Sequence, residues 1–129
     1  MKKILFLSAM ACCLCACQES LEDRCAREAK DYTAKKCPAQ VGSNVTIDSL
    51  IFERASHTMH YYYTLSGNAD NPEAIAAADV RKALLDEVKN STSIKTYKDN
   101  GYRFAYTYYS QKDHGKVLFN VTFTEKDYK

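Results

Sequence analysis

The sequence lacks an apolar run long enough to cross a bilayer and a large excess of charge of either sign. A membrane-spanning helix needs about 20 apolar residues, whereas the first apolar run covers only Ile4 to Ala16 and no later run approaches it. The 18 Lys and Arg residues exceed the 16 Asp and Glu residues by two. A nucleic-acid footprint needs clustered basic residues in excess and is therefore not indicated. Without repeats, low-complexity tracts or linkers, the composition favours one compact domain.

Sequence motifs for catalysis are also missing. No Gly-rich loop precedes a helical pattern, and Ser66-Gly67 lacks the elbow of serine hydrolases. His57 and His60 have a spacing that suits a metal on a helix, but on a strand positions an odd number apart point to opposite faces. His114 stands alone in a turn. We therefore expect no catalytic residue, no metal site and no cofactor, and a protein that is not an enzyme.

Residues 1–16 have the build of a cleavable secretory signal, with a basic start at Lys2 and Lys3 followed by the apolar run. The segment Leu14-Cys15-Ala16-Cys17 resembles the lipobox of Gram-negative lipoproteins, although Cys15 stands where Ala, Ser or Thr is usual. The resemblance implies cleavage between Ala16 and Cys17 and a lipid on Cys17 that reaches the membrane. Gln18 replaces the Asp that would resemble an inner-membrane retention signal, which favours the outer membrane.

Alternatives to this assignment stay open. Cys12, Cys13 and Cys15 are weaker candidates for the lipidated residue, and an ordinary signal peptide with incidental cysteines is a further alternative. Loss of Lys2 and Lys3 with the signal makes the mature chain formally neutral. We expect a signal peptide at 1–16, a lipidated tether at 17–20 and a single domain at 21–129, in the cell envelope with its sidedness undetermined.

Six cysteines suggest a disulfide framework, but only two remain available after processing. Three leave with the signal and Cys17 carries the lipid, so Cys25 and Cys37 are the one pair that can bridge. If one helix runs through both, a rise of ~1.5 Å per residue puts them about 18 Å apart. A disulfide tolerates less than about 7 Å between Cα atoms. A Cys25–Cys37 bridge therefore requires the helix to end early, although export to an oxidising compartment keeps it open.

Residues that typically begin or end a helix predict two helices. The first begins after Ser20, a typical N-cap, and ends at Cys37-Pro38, because the residue before proline is pushed out of the α region. The second begins at Asn71-Pro72 and ends near Asn90. A further short turn stops at Asn100-Gly101, where a left-handed residue is easiest.

Alternating apolar residues predict two hairpins. Strands are indicated from Val45 to Glu53 and from His57 to Ser66, and the last quarter alternates on both sides of a turn at Lys112 to Gly115. The element order predicts an α+β fold, α-β-β-α-β-β, with a four-stranded antiparallel sheet and helices packed on one face.

Several of these features resemble those of a family of small Gram-negative envelope lipoproteins. The resemblance runs from Cys37-Pro38 through a hairpin and a helix to Gly101-Tyr102-Arg103-Phe104-Ala105-Tyr106, then through the Gly115 turn to a last strand near Asp127-Tyr128. It implies a fold but no activity. Members of that family tend to have a later cysteine as partner for the Cys-Pro cysteine, and this chain has none.

Ten tyrosines are the most unusual feature of the composition. Period-two alternation puts Tyr61 and Tyr63 on the face under the helices and Tyr62 and Tyr109 on the opposite face. This opposite face also receives His60 and Arg103, together with the polar residues Thr58, Thr64, Thr107, Asn120 and Thr122. A tyrosine supplies apolar area with a hydrogen-bonding tip, which suits a protein or a sugar ring. A solvated face with stray rings is the plainer interpretation.

The sequence therefore predicts a membrane-anchored, non-enzymatic envelope lipoprotein that binds a protein or a glycan, or supports an envelope assembly, through this open face. An alternative is a small exported inhibitor or immunity-type protein acting through a loop, with Ser66 to Asn71 or Gln111 to Lys116 as the exposed candidates.

Overall fold

A computed structural model describes residues 19–129 of the chain. The first helix, α1 (Leu21–Lys36), begins where the Asp23 amide donates a hydrogen bond of 3.1 Å to Ser20 Oγ. It ends before Cys37-Pro38, and its inner side buries Cys25 and Ala29. Both ends of α1 are as predicted, because caps and prolines act on the residues next to them.

The sheet has five strands in the order β1 (Ala39–Gly42), β2 (Val45–Glu53), β3 (Thr58–Leu65), β4 (Arg103–Ser110) and β5 (Val117–Phe123). Neighbouring strands are antiparallel except for β3 and β4, which are parallel. A short 3-10 turn, Arg54–Ser56, joins β2 to β3. The predicted α+β class is confirmed.

The predicted four-stranded antiparallel sheet is wrong in two respects. Strand β1 was missed because its four residues include one β-branched side chain and show no clear alternation. Strands β3 and β4 are parallel because the intervening helices return the chain to the end at which β3 begins, and a parallel pair needs such a crossover. These helices are α2 (Pro72–Ala77), α3 (Val80–Asn90) and α4 (Lys95–Asp99).

The second predicted helix is two helices. Asn71 Oδ1 accepts a hydrogen bond from the Ala74 amide at 2.7 Å, as expected of the N-cap. Asp79, with φ of 46°, then separates α2 from α3. The chain leaves α4 through Gly101, whose φ of 73° fits the predicted stop. Asp127-Tyr128, where the resemblance implied a last strand, lies instead in a short helix, α5 (Glu125–Tyr128).

The helices cover one face of the sheet, as predicted. The main core cluster joins Cys25 of α1 and Val88 of α3 to Phe104 and Phe123 of the sheet, all at most 1 % exposed. Alternation turns the residues between these core positions to the other face. Within residues 19–129, no helix combines the length and the apolar character needed to cross a membrane.

Candidate functional site

The sheet face turned away from the helices, called here the open face, carries the four residues singled out from the sequence. The parallel register sets Thr58 beside Arg103, His60 beside Ala105, Tyr62 beside Thr107 and Thr64 beside Tyr109. His60, Tyr62 and Tyr109 come together as neighbours. Arg103 lies on the same face but is exposed at the start of β4 and stays apart from them.

A hydrogen-bond network links His60 to three side chains of the open face. Glu53 Oε2 lies 2.9 Å from His60 Nδ1, Thr107 Oγ1 lies 2.7 Å from Nε2, and the Tyr62 hydroxyl lies 3.1 Å from Nδ1. Thr107 is only 7 % exposed, although it lies on the face without helices. Sequence reasoning missed Glu53, because its reach across to His60 depends on the β2–β3 register, in which Glu53 pairs with Thr58.

The rings of the open face stack on one another. His60 and Tyr62 have ring centroids 4.1 Å apart and planes 16° apart, and Tyr62 and Tyr109 have centroids 6.3 Å apart and planes 10° apart. Along β3, His60 lies two residues before Tyr62. Thr64 lies two residues after Tyr62 and pairs with Tyr109 on β4, so His60 and Tyr109 flank Tyr62. One face of the Tyr62 ring is therefore covered by His60 at close range, and Tyr109 lies farther off on the other side.

The line from Glu53 through His60 to Thr107 has the order of an acid, a base and a hydroxyl nucleophile. Catalysis would also need an accessible hydroxyl and donors for an oxyanion. Thr107 is 7 % exposed, and it lies in β4, whose amides are paired with β3 and β5 in the sheet. The geometry therefore favours a structural polar network over a nucleophile.

The helix side of the sheet holds a groove that sequence reasoning did not predict. It has a volume of about 550 Å³ and lies between α1, the sheet and the segment from α3 to α4. Its principal lining residues, which define the groove below, are Glu28, Tyr32, Val41, Ile47, Leu50, Met59, Tyr61, Tyr63, Glu87 and Tyr97. Tyr61 and Tyr63 were expected in the core, but both remain half-buried, because they line this groove between α1 and α3. No sequence pattern sets the distance between those two helices.

The groove combines neutral tyrosine hydroxyls with acidic groups. Burial raises the pKa values of Tyr61, Tyr63 and Tyr97 above the ordinary tyrosine value, so these hydroxyls stay protonated at physiological pH. Tyr97 donates a hydrogen bond of 2.9 Å to Glu28 Oε1, which also accepts one of 2.7 Å from Arg24. Glu87 is exposed and has no ion-pair partner among residues 19–129. The groove thus offers an apolar floor, hydroxyls and carboxylates, and none of the described residues that line it is basic.

The predicted lipidation and cleavage residues, Cys17 and Ala16, lie outside the described residues. Cys25 is fully buried, and burial raises the pKa of its thiol to about 12, which makes it unreactive. Cys25 and Cys37 form no disulfide within residues 19–129. The helix runs unbroken to Lys36, so the early end that a bridge between them would need does not occur.

The histidines of the H-x-x-H pair go to different partners. His57 Nε2 lies 2.9 Å from Glu22 Oε1 at the start of α1, whereas His60 belongs to the open face. In the part of the chain that the structure describes, no three metal-ligating side chains gather. The two loops proposed for an inhibitor are tied together, because the Lys112 amide donates a hydrogen bond of 3.0 Å to Asp70 Oδ2.

Comparison with known proteins gives one family and a set of similar folds. A family model described as a domain of unknown function (DUF8479) matches residues 20–119. No curated protein sequence matches the chain.

Three solved structures share the fold. A candidate secreted protein from Pseudomonas aeruginosa has a TM-score of 0.67 at 14% identity, over 87% of this chain and 100% of its own. The pilotin EpsS of the Vibrio vulnificus type 2 secretion system has a TM-score of 0.64 at 10% identity, over 84% of this chain and 92% of its own. The type II secretion pilotin AspS of Vibrio cholerae has a TM-score of 0.62 at 15% identity, over 83% of this chain and 91% of its own.

Proposed function

The chain belongs to the DUF8479 family, and we propose that it is a non-enzymatic envelope module that holds a segment of another envelope protein in the groove. The observation that carries this proposal is the composition of the groove, which has an apolar floor at Ile47 and Met59 and, at Glu87, a carboxylate without an ion-pair partner among residues 19–129. Such a lining fits an amphipathic segment with an apolar side and a basic side chain. Its tyrosines are anchors of the kind that dominate protein interfaces.

The similar folds support an assembly role over an enzymatic one. Two of the structures that share this fold are pilotins of type II secretion systems. They support a role in building or holding an envelope complex. The open-face network does not argue against this role, because Thr107, whose hydroxyl lies 2.7 Å from His60 Nε2, is buried.

The proposal includes a lipid anchor at Cys17, a signal peptide at 1–16, a tether at 17–20 and one domain at 21–129, with the outer membrane as location. Glu19, within this tether, pairs with Arg27 of α1 at 2.6 Å. A Cys17→Ala variant should move from the membrane fraction to the soluble fraction of lysed cells while its circular dichroism stays that of a folded domain. Continued membrane attachment of that variant would remove the anchor from the proposal.

The open face is the second candidate surface, and its ring geometry favours a protein over a glycan. Because His60 covers one face of the Tyr62 ring at 4.1 Å and Tyr109 lies beside it, little ring face is left there for a sugar to stack on. If Tyr62→Ala together with Tyr109→Ala leaves every pull-down partner unchanged, this surface is not the binding site. No observation favours the loop inhibitor, because its two loops are fastened to each other through Asp70.

Site-specific photocrosslinking in native envelopes tests the groove against the open face. Val41 at the groove rim is 53% exposed and Ile51 on the open face is 48% exposed, so a photoreactive residue at either position perturbs the fold equally little. We expect one discrete adduct from position 41, lost on Glu87→Lys, and none from position 51. An adduct from position 51 alone would move the binding site to the open face, and no adduct from either would refute both.

A further inference from the structure

In the part of the chain that the structure describes, the last strand of the sheet, β5, has an outer edge with no partner strand. It pairs with β4 on one side only and ends the sheet order. Within residues 19–129, no other element forms a hydrogen bond with the backbone of residues 117–123 on the outer side. Val117, Asn120 and Thr122 are exposed along it.

The alternation of hydrogen bonds along β4 shows which backbone N–H and C=O groups of β5 point away from the sheet. The Arg103 and Gln111 amides donate toward β3, at His57 and Leu65, and the Ser110 amide donates to Lys116 ahead of β5. Even-numbered residues of β4 therefore bond β5, and these pair with Phe119, Val121 and Phe123. In an antiparallel ladder, alternate residues turn their N–H and C=O groups outward. The outward groups are those of Asn120 and Thr122.

The two edges of the sheet are protected to different degrees. On the β1 side the edge strand has four residues and an irregular register. Beyond it, Thr33 Oγ1 of α1 bonds both the amide and the carbonyl of Leu50, at 2.9 and 2.8 Å. Natural sheets shield edges by short strands, bulges, charges, proline or covering elements. Strand β5 has one bulge near Leu118, and its seven residues include no charge, proline or glycine.

We infer that the outer edge of β5 accepts an extended, uncharged segment of a partner protein as an additional strand. Main-chain bonds to Asn120 and Thr122 would hold it, as in other cases of strand addition. Its helix-side positions would be apolar, beside Phe119 and Val121 and near an apolar cavity of about 230 Å³ under α2. Its other positions would carry hydroxyl or amide side chains, beside Asn120 and Thr122. A charged segment does not fit, since the strand offers no counter-charge.

Fluorescence anisotropy with the purified full chain tests this surface. The probe is a labelled, end-blocked peptide of alternating valine and threonine, and its control is the same peptide N-methylated at every second amide. Thr122→Pro removes an outward N–H without breaking a bond to β4, and Thr122→Val keeps that N–H. We expect Thr122→Pro to weaken binding at least about 5-fold, and Thr122→Val to stay within about 2-fold.

Each result decides the inference. Equal binding of the methylated peptide, or no binding of either, overturns it, and these measurements do not depend on whether Thr122→Pro folds. Self-association of the chain in sedimentation that Thr122→Pro abolishes would make a second copy the occupant and overturn the partner-protein inference. Glu87→Lys should leave peptide binding unchanged, which separates this edge from the groove.

Discussion

The two faces of the sheet use the same residue types in different ways. On the helix side, five tyrosines are at most 8 % exposed and one of them, Tyr97, donates its hydroxyl to a carboxylate. On the open face, Tyr62 and Tyr109 stack beside a histidine whose nitrogens meet Glu53 and Thr107. Buried tyrosine area stabilises the fold, whereas the open-face rings mainly organise one another. The number of tyrosines therefore says less than the face on which each one lies.

Alkaline pH should have the largest effect on stability, and it should act through the buried tyrosines of the helix side. Burial raises the pKa values of Tyr97, Tyr102, Tyr106, Tyr108 and Tyr128, with Tyr108 and Tyr128 reaching about 12. The folded state then keeps protons that the unfolded state releases above its own tyrosine pKa of about 10. Stability is complete below that pH and falls as pH rises toward the folded values, by about 1.4 kcal/mol per pH unit for each such proton.

Urea titrations at pH 8 to 12 measure this loss. Tyr108→Phe should make the fall of the unfolding free energy with pH less steep, because one fewer proton is released on unfolding. Phe104→Leu serves as the control, since it lowers the free energy of unfolding without altering the slope. An unchanged slope in Tyr108→Phe would contradict the assignment.

Two isoleucines of β2 give a matched test of burial. Ile47 is 3 % exposed and faces the helices, and Ile51 is 48% exposed on the open face, because the register shifts between Ile47 and Ser49. Ile47→Ala should cost about 2–5 kcal/mol and Ile51→Ala less than about 1 kcal/mol, as measured by chemical denaturation. Equal losses of unfolding free energy in the two variants would mean that the register shift does not lie between Ile47 and Ser49.

The open-face network should contribute a smaller amount. His60→Ala leaves the buried Thr107 hydroxyl without its partner, which should cost about 1–2 kcal/mol. In the double variant with Thr107→Val, part of that cost should disappear, because the orphaned hydroxyl is gone. A double-mutant cycle of unfolding free energies measures the coupling, and strict additivity would show that the contact contributes nothing.

Substitution of an exposed groove residue should change stability least. Glu87→Lys is expected to alter the free energy of unfolding by no more than about 0.5 kcal/mol, yet to remove the crosslink from position 41. The matched variant Asp86→Lys on the same helix, away from the groove lining, should leave the crosslink intact. Loss of the crosslink in both variants would point to a general charge effect.

Local signals in the sequence predicted most element boundaries. The Ser20 cap, the Cys37-Pro38 stop and the Asn71-Pro72 start each lie at the ends the structure gives. Period-two alternation also placed Tyr61 and Tyr62 on opposite faces, which the register confirms. The break at Asp79 was missed, since nothing in the helical pattern marks a residue with positive φ there.

The candidate site was only partly predictable. His60, Tyr62 and Tyr109 were placed on one face by alternation, but their use as a binding surface remains a prediction. Glu53 joins them through strand pairing, and the groove arises from the gap between α1 and α3. Neither has a signature within a single segment.

The sequence by itself determined where the helices begin and end and which side chains share a strand face, because caps, prolines and alternation act between residues close in the chain. Only the tertiary structure decided that β3 and β4 run parallel, that a tyrosine-lined groove stays open and that β5 keeps a free edge. Those features depend on contacts between distant segments, whose free energy reflects packing of the whole domain.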